Sequence, residues 1–308
     1  MAAAYPNGLN FDDVFPYNKF EEVTRDGQAM IKIPNVYVKA GYTSPTAEMP
    51  EKYGWWISEF PQEGFHCHPA FMYQGEELDY FLLGKYEASN DGNSKAQSLA
   101  NKTPWVNITT PNAIAACLRR NTGEAGSEQY GWHIESIYEY QLISLLMLIE
   151  LGAPDVQSII GSGNINGSGV VATGSTNAKW RGICEHWANA WEICDGFKTG
   201  ASGQALIWDK NGNQTYVDTG KVVADKGFAR GKGTDYDFAD VFVPTDDGKG
   251  STYSGSTSDG VWTAANCVLY LGGGWYDGAQ DGAFTFNSND AASLSNSSLG
   301  FRLAKYDI

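Results

Sequence analysis

The sequence predicts an α+β domain built from short antiparallel strands, two main helices and long irregular loops. Three observations point there. Short runs rich in β-branched and aromatic residues recur along the chain, each bounded by Gly, Pro, Asn or Asp. Only two stretches carry the longer apolar pattern of a helix. The stretch from Gly272 to Arg302 is rich in Gly, Ser and Asn, yet Trp275, Phe284, Phe286, Leu299 and Phe301 make it too apolar to be linker.

Strand signals begin at residue 28. Ile31, Ile33, Val36, Tyr37 and Val38 read as one or two strands broken at Pro34. Tyr53 to Ser58 and Leu78 to Ala88 are further strands, with Pro61, Gly64 and Pro69 punctuating the interval. The first helix starts at Thr110-Pro111-Asn112, with Thr110 expected to cap and Pro111 in the first turn. Ala113, Ala116, Cys117 and Leu118 form its apolar side. The second helix runs from about Ile134 to Leu151 and is stopped by Gly152 and Pro154. Apolar residues nearly encircle its later turns, as in a helix buried on most sides. Residues 205–217 read as a hairpin turning at Asn211-Gly212. Val241 to Pro244 is strand-like, and Trp262 to Leu271 leads into three consecutive glycines. Residues 1–27, weakly periodic, are expected to be an arm or attachment segment, with one domain over 28–308.

Composition narrows the function. In 308 residues, 42% are hydrophobic and 13% aromatic, which supplies a sizeable core and excludes global disorder. A formal charge of −15 argues against an electrostatic grip on nucleic acid or an anionic membrane. The apolar run Leu142 to Ile149 is far short of a bilayer span, so no membrane insertion is expected. The start, MAAAYPNGLNFDD, has neither the basic nor the apolar region of a signal peptide. Five irregularly spaced cysteines do not form a disulfide framework, and synthesis in a reducing cytoplasm fits.

Several motifs invite chemistry, and each has a plainer reading. His66 and His68 would share one face of a strand, but no third metal ligand is evident nearby. Glu139 reads as a structural carboxylate of the second helix. Gly161-Ser162-Gly163 lacks the Lys-Ser/Thr of a phosphate loop. Cys184 and Cys194 flank His186, Glu185, Glu192 and Asp195, yet three tryptophans within residues 180–191 suggest that both thiols are packed core. Asp246, Asp247 and Asp259 lack the spacing of a calcium loop. No metal and no cofactor are expected.

The most distinctive stretch is Gly272 to Arg302, GGGWYDGAQDGAFTFNSNDAASLSNSSLGFR. Large apolar anchors stand at both ends, with small polar and aromatic residues between them. That composition suits a recognition loop pinned to a core.

These blocks resemble the C-type-lectin-like fold of formylglycine-generating-enzyme relatives over most of residues 28–308. The carriers are TPWVNITTPNAIAACLRR (103–120), YGWHIESIYEYQLISLLMLIELG (130–152) and HWANAWEICDGF (186–197), with LGGGW (271–275) and GFR (300–302). Within 186–197 the match rests on Asn189, Trp191 and Glu192; in 130–152 it rests on Glu135, Tyr138 and Glu139. In that superfamily the chain is most similar to phage or prophage tail proteins and to the variable proteins of diversity-generating retroelements.

The resemblance implies a diversified ligand-binding region at 272–302, rewritten at positions with adenine-rich codons. The matching positions are Tyr276, Asp277, Gln280, Asp281, Thr285, Asn287, Asn289, Asp290, Leu294, Ser297 and Ser298. Trp191, Trp275, Phe301 and Arg302 would be structural anchors. The implied function is that of a non-catalytic tail adhesin, located on a virion tail or made as a phage product in the bacterial cytoplasm. Its implied ligand is a host cell-surface protein or glycan, and residues 1–27 would meet other tail proteins. The alternatives are a structural tail component without a ligand, and an oxidoreductase like the formylglycine-generating enzymes. The latter uses a cysteine pair near the C-terminus, and residues 272–308 contain no cysteine.

Overall fold

The computed structural model describes residues 9–42, 53–228, 240–245 and 259–308. Among these, twelve strands join one mixed sheet. Its path begins with β1 (Glu21–Arg25), β2 (Gln28–Pro34) and, after β3 (Tyr37–Tyr42) and β4 (Tyr53–Ser58) form a smaller sheet, β5 (Tyr80–Glu87). After α1 (Thr110–Leu118), β6 (Trp132–Ile134) and α2 (Ile137–Leu151) come β7 (Trp191–Thr199), β8 (Gln204–Trp208) and β9 (Tyr216–Phe228). The C-terminal quarter adds β10 (Val261–Thr263), β11 (Val268–Leu271), β12 (Phe286–Asp290) and β13 (Leu299–Tyr306).

The last strand is the centre of the sheet. β13 pairs antiparallel with β5 and β6, and parallel with β7 through Trp191–Leu299, Glu192–Gly300 and Ile193–Phe301. Every residue of β13 is buried. A strand with both faces covered sends alternate side chains to opposite layers. Ala304 and Tyr306 join the core beneath α2, whereas Leu299, Phe301 and Leu303 join the core beneath α1. β5 divides the same way, Phe81 and Leu83 to the first core and Leu82 to the second.

The strands expected at 28–39, 53–58 and 78–88 are present, with the break at Pro34. Other details differ. Thr109, not Thr110, is the N-cap of α1, and its side chain makes no capping bond. Ile134, expected to open the second helix, belongs to β6. α2 itself starts after Ser136, whose hydroxyl accepts from the Glu139 amide while Glu139 accepts from the Ser136 amide. This reciprocal capping box fixes the start. Gly152, at φ 66°, ends the helix in the left-handed region.

The hairpin at 205–217 exists, but its turn spans residues 209–215 rather than Asn211-Gly212 alone. The Asp209 carboxylate gathers the amides of Asn211, Asn213 and Thr215 inside that loop. Gly212 serves a different purpose from a tight turn. Its backbone lies against Met72, where a Cβ would come within 2.2 Å of the Met72 carbonyl oxygen. Val241 to Pro244 forms a strand only at its end, Pro244–Thr245.

The expected boundary between residues 27 and 28 falls inside the β1–β2 hairpin. Phe11 and Tyr17 are buried, and the Tyr17 hydroxyl donates to the Leu146 carbonyl of α2 at 2.9 Å. Residues 9–27 are therefore packed onto the domain; residues 1–8 lie outside the described residues, as do Asp246 and Asp247. No helix among the described residues is long and apolar enough to cross a membrane.

Candidate ligand-binding surface

The segment from Gly272 leaves β11 through a passage that only glycine fits. Gly272 and Gly273 have φ of 87° and 88°. A Cβ on Gly272 would come within 2.8 Å of the Tyr140 hydroxyl, and one on Gly274 within 2.8 Å of Trp191. Close approach and left-handed backbone both explain the triple glycine.

Trp275 is then pinned on three sides. Its amide donates to the Asn189 carbonyl at 3.0 Å, its carbonyl accepts from the Gly167 amide at 2.7 Å, and its indole donates to the Ser297 carbonyl at 3.3 Å. The last bond ties the two ends of the segment together. The Tyr276 ring leans edge-on against Trp275, with centroids 4.9 Å apart.

The other anchors lie deeper. Phe301 and Arg302 are fully buried and Trp191 nearly so. The Arg302 guanidinium donates to the carbonyls of Gly84, Cys184 and Glu185 at 3.0, 2.9 and 2.8 Å, and to the Glu192 carboxylate. The Asn189 side chain accepts from Asn164 and Val171 and donates to the Glu87 carboxylate, fixing the loop that enters β7. The motif Asn189–Trp191–Glu192 and the closing Gly-Phe-Arg thus meet on the parallel strands β7 and β13.

The eleven expected surface positions divide into three groups. Tyr276, Gln280, Asn289 and Ser297 are exposed, Tyr276 by 52%. No side-chain hydrogen bond is made by these four among the described residues. Asp277, Asn287, Asp290 and Leu294 are half-buried. Asp277 is also committed, because its Oδ2 accepts from the Trp191 indole at 2.9 Å and from the Gly274 amide at 3.0 Å. Leu294 packs on the core beneath α1, so its aliphatic character has a structural reason.

Asp281, Thr285 and Ser298 correct the sequence expectation: all three are buried. Thr285 donates to the Gln280 carbonyl at 2.5 Å, closing the preceding turn. Ser298 donates to Asn296 Oδ1 at 2.8 Å, and its carbonyl accepts from the Trp191 amide at 2.8 Å. Asp281 packs over Gly273, where a Cβ would fall 1.7 Å from its Oδ1. Burial, and then the charge of Asp277, push its carboxyl up to about 9, with the Gly274 amide opposing.

Two contributors were missed in the sequence. Trp262 on β10 is half-buried, lies edge-on to Trp191 at 5.6 Å, and is registered beside Asn287 of the parallel strand β12. Asp259 accepts from the Phe284 amide at 2.9 Å and holds the segment from the other side. The tryptophan had a signal, a large aromatic opening a strand beside the glycines. Asp259 had none.

The motifs set aside have structural partners. The His66 ring nitrogen Nε2 lies 2.7 Å from Asp240 Oδ1, and His68 is buried against Ala70 and the Asp240 carbonyl. Glu139 accepts from Ser136 and contacts His133 at 2.8 Å. All five cysteines are free thiols, and Cys184, Cys194, Cys117 and Cys267 are buried. Burial pushes every one of these thiols up, Cys67 to about 12. Burial thus disfavours the thiolate form at these positions. An open cleft of about 560 Å³, lined by Lys32, Tyr37, Phe60 and Tyr80 among others, shares no residue with the C-terminal segment.

No protein-family model matches the chain, and no curated protein matches it in sequence. Solved structures of similar shape include PvdO from Pseudomonas aeruginosa, at 12% identity and a TM-score of 0.44, covering 93% of this chain and 97% of that one. Treponema denticola variable protein 1 matches at 12% identity and 0.42, covering 93% and 98%. The Major Tropism Determinant U1 variant matches at 13% and 0.40, covering 90% of this chain and 62% of that one. These are likenesses of backbone course alone, and the functional reading rests on the geometry of the surface.

Proposed function

We propose that this chain is a non-catalytic ligand-binding protein, of the phage or prophage tail-adhesin kind, which presents a rewritable polar and aromatic surface between Tyr276 and Ser297. One observation carries the reading. Tyr276, Gln280, Asn289 and Ser297 are exposed and make no side-chain hydrogen bonds among the described residues, while the backbone beneath them is tied to buried anchors. Stability and recognition are thereby assigned to different atoms. Tyrosine gives contact area at low entropic cost, and Asn, Gln and Ser give adaptable hydrogen bonding. The ligand class that fits is a polar one, a protein or glycan on a host cell surface. Several copies on one particle would raise avidity beyond the affinity of a single site.

The test uses purified full-length protein against a panel of bacterial cells and a glycan array. The wild type is expected to bind a subset of these surfaces. Tyr276→Ala with Asn289→Ala should weaken that binding by roughly tenfold or more, with an unchanged melting temperature. Binding that survives the double substitution, or a wild type that binds nothing on either panel, contradicts the proposal.

A further inference from the structure

Away from the C-terminal surface, the fold brings Glu135, His186 and Glu192 together. Glu135 lies between β6 and the cap of α2, His186 lies in the loop entering β7, and Glu192 lies on β7 itself. One potential ligand atom from each lies within 4.8 Å of the other two. All three side chains are removed from water. Among the described residues, both oxygens of Glu135, Nδ1 of His186 and Oε2 of Glu192 have no hydrogen-bond partner. Buried polar atoms are nearly always satisfied, and four orphans converging on one place call for an explanation.

Charge supplies a second argument. Glu87, Glu135, Glu185 and Glu192 are all fully buried, and among the described residues the Arg302 guanidinium is ion-paired to two of them, Glu135 and Glu192. Glu87 and Glu185 are satisfied by hydrogen bonds, from Ala190 and Asn189 in one case and from Gly174 and Thr176 in the other. Arg302 engages Oε1 of Glu192, and its Nε stands 3.7 Å from Glu135. One guanidinium thus faces a surplus of buried carboxylate. A proton shared by the two glutamates eases their repulsion but leaves the imidazole nitrogen unmatched. A second cation satisfies all three side chains.

We propose that Glu135, His186 and Glu192 hold a divalent first-row transition-metal ion inside the domain. An imidazole with two carboxylates favours zinc, cobalt or manganese over calcium, which takes oxygen ligands. The ion's role is structural, since its ligands are sealed from solvent. It ties the start of α2 to β7 and, through Arg302, to the central strand β13. Binding inside a packed core couples metal uptake to folding.

The experiment refolds the full chain from guanidinium with Co²⁺ or with EDTA, followed by gel filtration, metal analysis, visible absorption and thermal melting. The expected result is one cobalt ion retained per chain, ligand-field bands in the visible, and a higher melting temperature than the EDTA form. Glu135→Gln and His186→Gln should each lose the bands and melt alike with and without cobalt. If either variant fails to fold, the other carries the comparison, and the wild-type melting difference stands by itself. The proposal is overturned if the wild type retains no cobalt and melts identically in EDTA, the outcome of a shared proton. It is equally overturned if both variants retain cobalt as the wild type does.

Discussion

Asp240 and Asp281 are both buried, yet their surroundings drive them in opposite directions. Burial alone would raise Asp240, but the His66 hydrogen bond and the Lys210 charge outweigh it and bring the carboxyl to about 2. Its folded value is depressed, so the stabilisation it gives is present above the unfolded value of about 4 and is lost as pH falls toward 2. Asp240→Asn is expected to cost about 2 kcal/mol at pH 7 and to remove this acid-sensitive part of the denaturation curve. Asp281 has the reverse sign. Its folded value is raised to about 9, so folding is unpenalised below the unfolded value near 4 and is increasingly penalised from there up to about 9. Asp281→Asn should therefore stabilise the protein at pH 7, by about 1–3 kcal/mol, with no gain at pH 3. Urea denaturation of wild type and variant at the two pH values checks this directly.

The elements show which features a sequence can disclose. Alternation and length exposed the strands at 28–34 and 80–87 and the helix ending at Gly152, because burying one face or all faces leaves a periodic record. The capping box of Ser136 and Glu139 stands in the sequence but did not mark the helix start there. It was obscured because the apolar pattern of β6 runs into that of α2 without a break. Ser136→Ala should cost about 1 kcal/mol in thermal or chemical denaturation. The hairpin turn misled for a different reason. Asn-Gly is a strong turn signal, but here the glycine makes room for the Met72 backbone and Asp209 organises a longer loop. Gly212→Ala, strained at φ 74° and crowded by that carbonyl, should lower stability by about 2 kcal/mol. Within the C-terminal segment, polarity did not separate Gln280 from Thr285 or Ser297 from Ser298. Each pair has similar chemistry, and only the backbone carbonyls reached by Thr285 and the Asn296 turn behind Ser298 decide which member turns inward.

At the scale of the molecule, the fold places its last strand at the centre and the glycine-led segment that starts at Gly272 immediately before it. Arg302 joins β13 to β5, to the 184–185 backbone and to Glu192 of β7, so substitutions there act on the whole sheet. Arg302→Lys keeps the charge but loses the planar fork, and should cost about 3 kcal/mol or prevent folding. The surface residues upstream should behave in the opposite way. The most direct measurement is a saturation library over residues 272–302, sorted for resistance to protease as a readout of folding. Positions 276, 280, 289 and 297 are expected to accept nearly every side chain, while 281, 285, 298, 301 and 302 accept few. If the four exposed positions prove as restricted as the buried ones, recognition and stability share the same atoms, and the account of a rewritable surface on a packed scaffold is wrong.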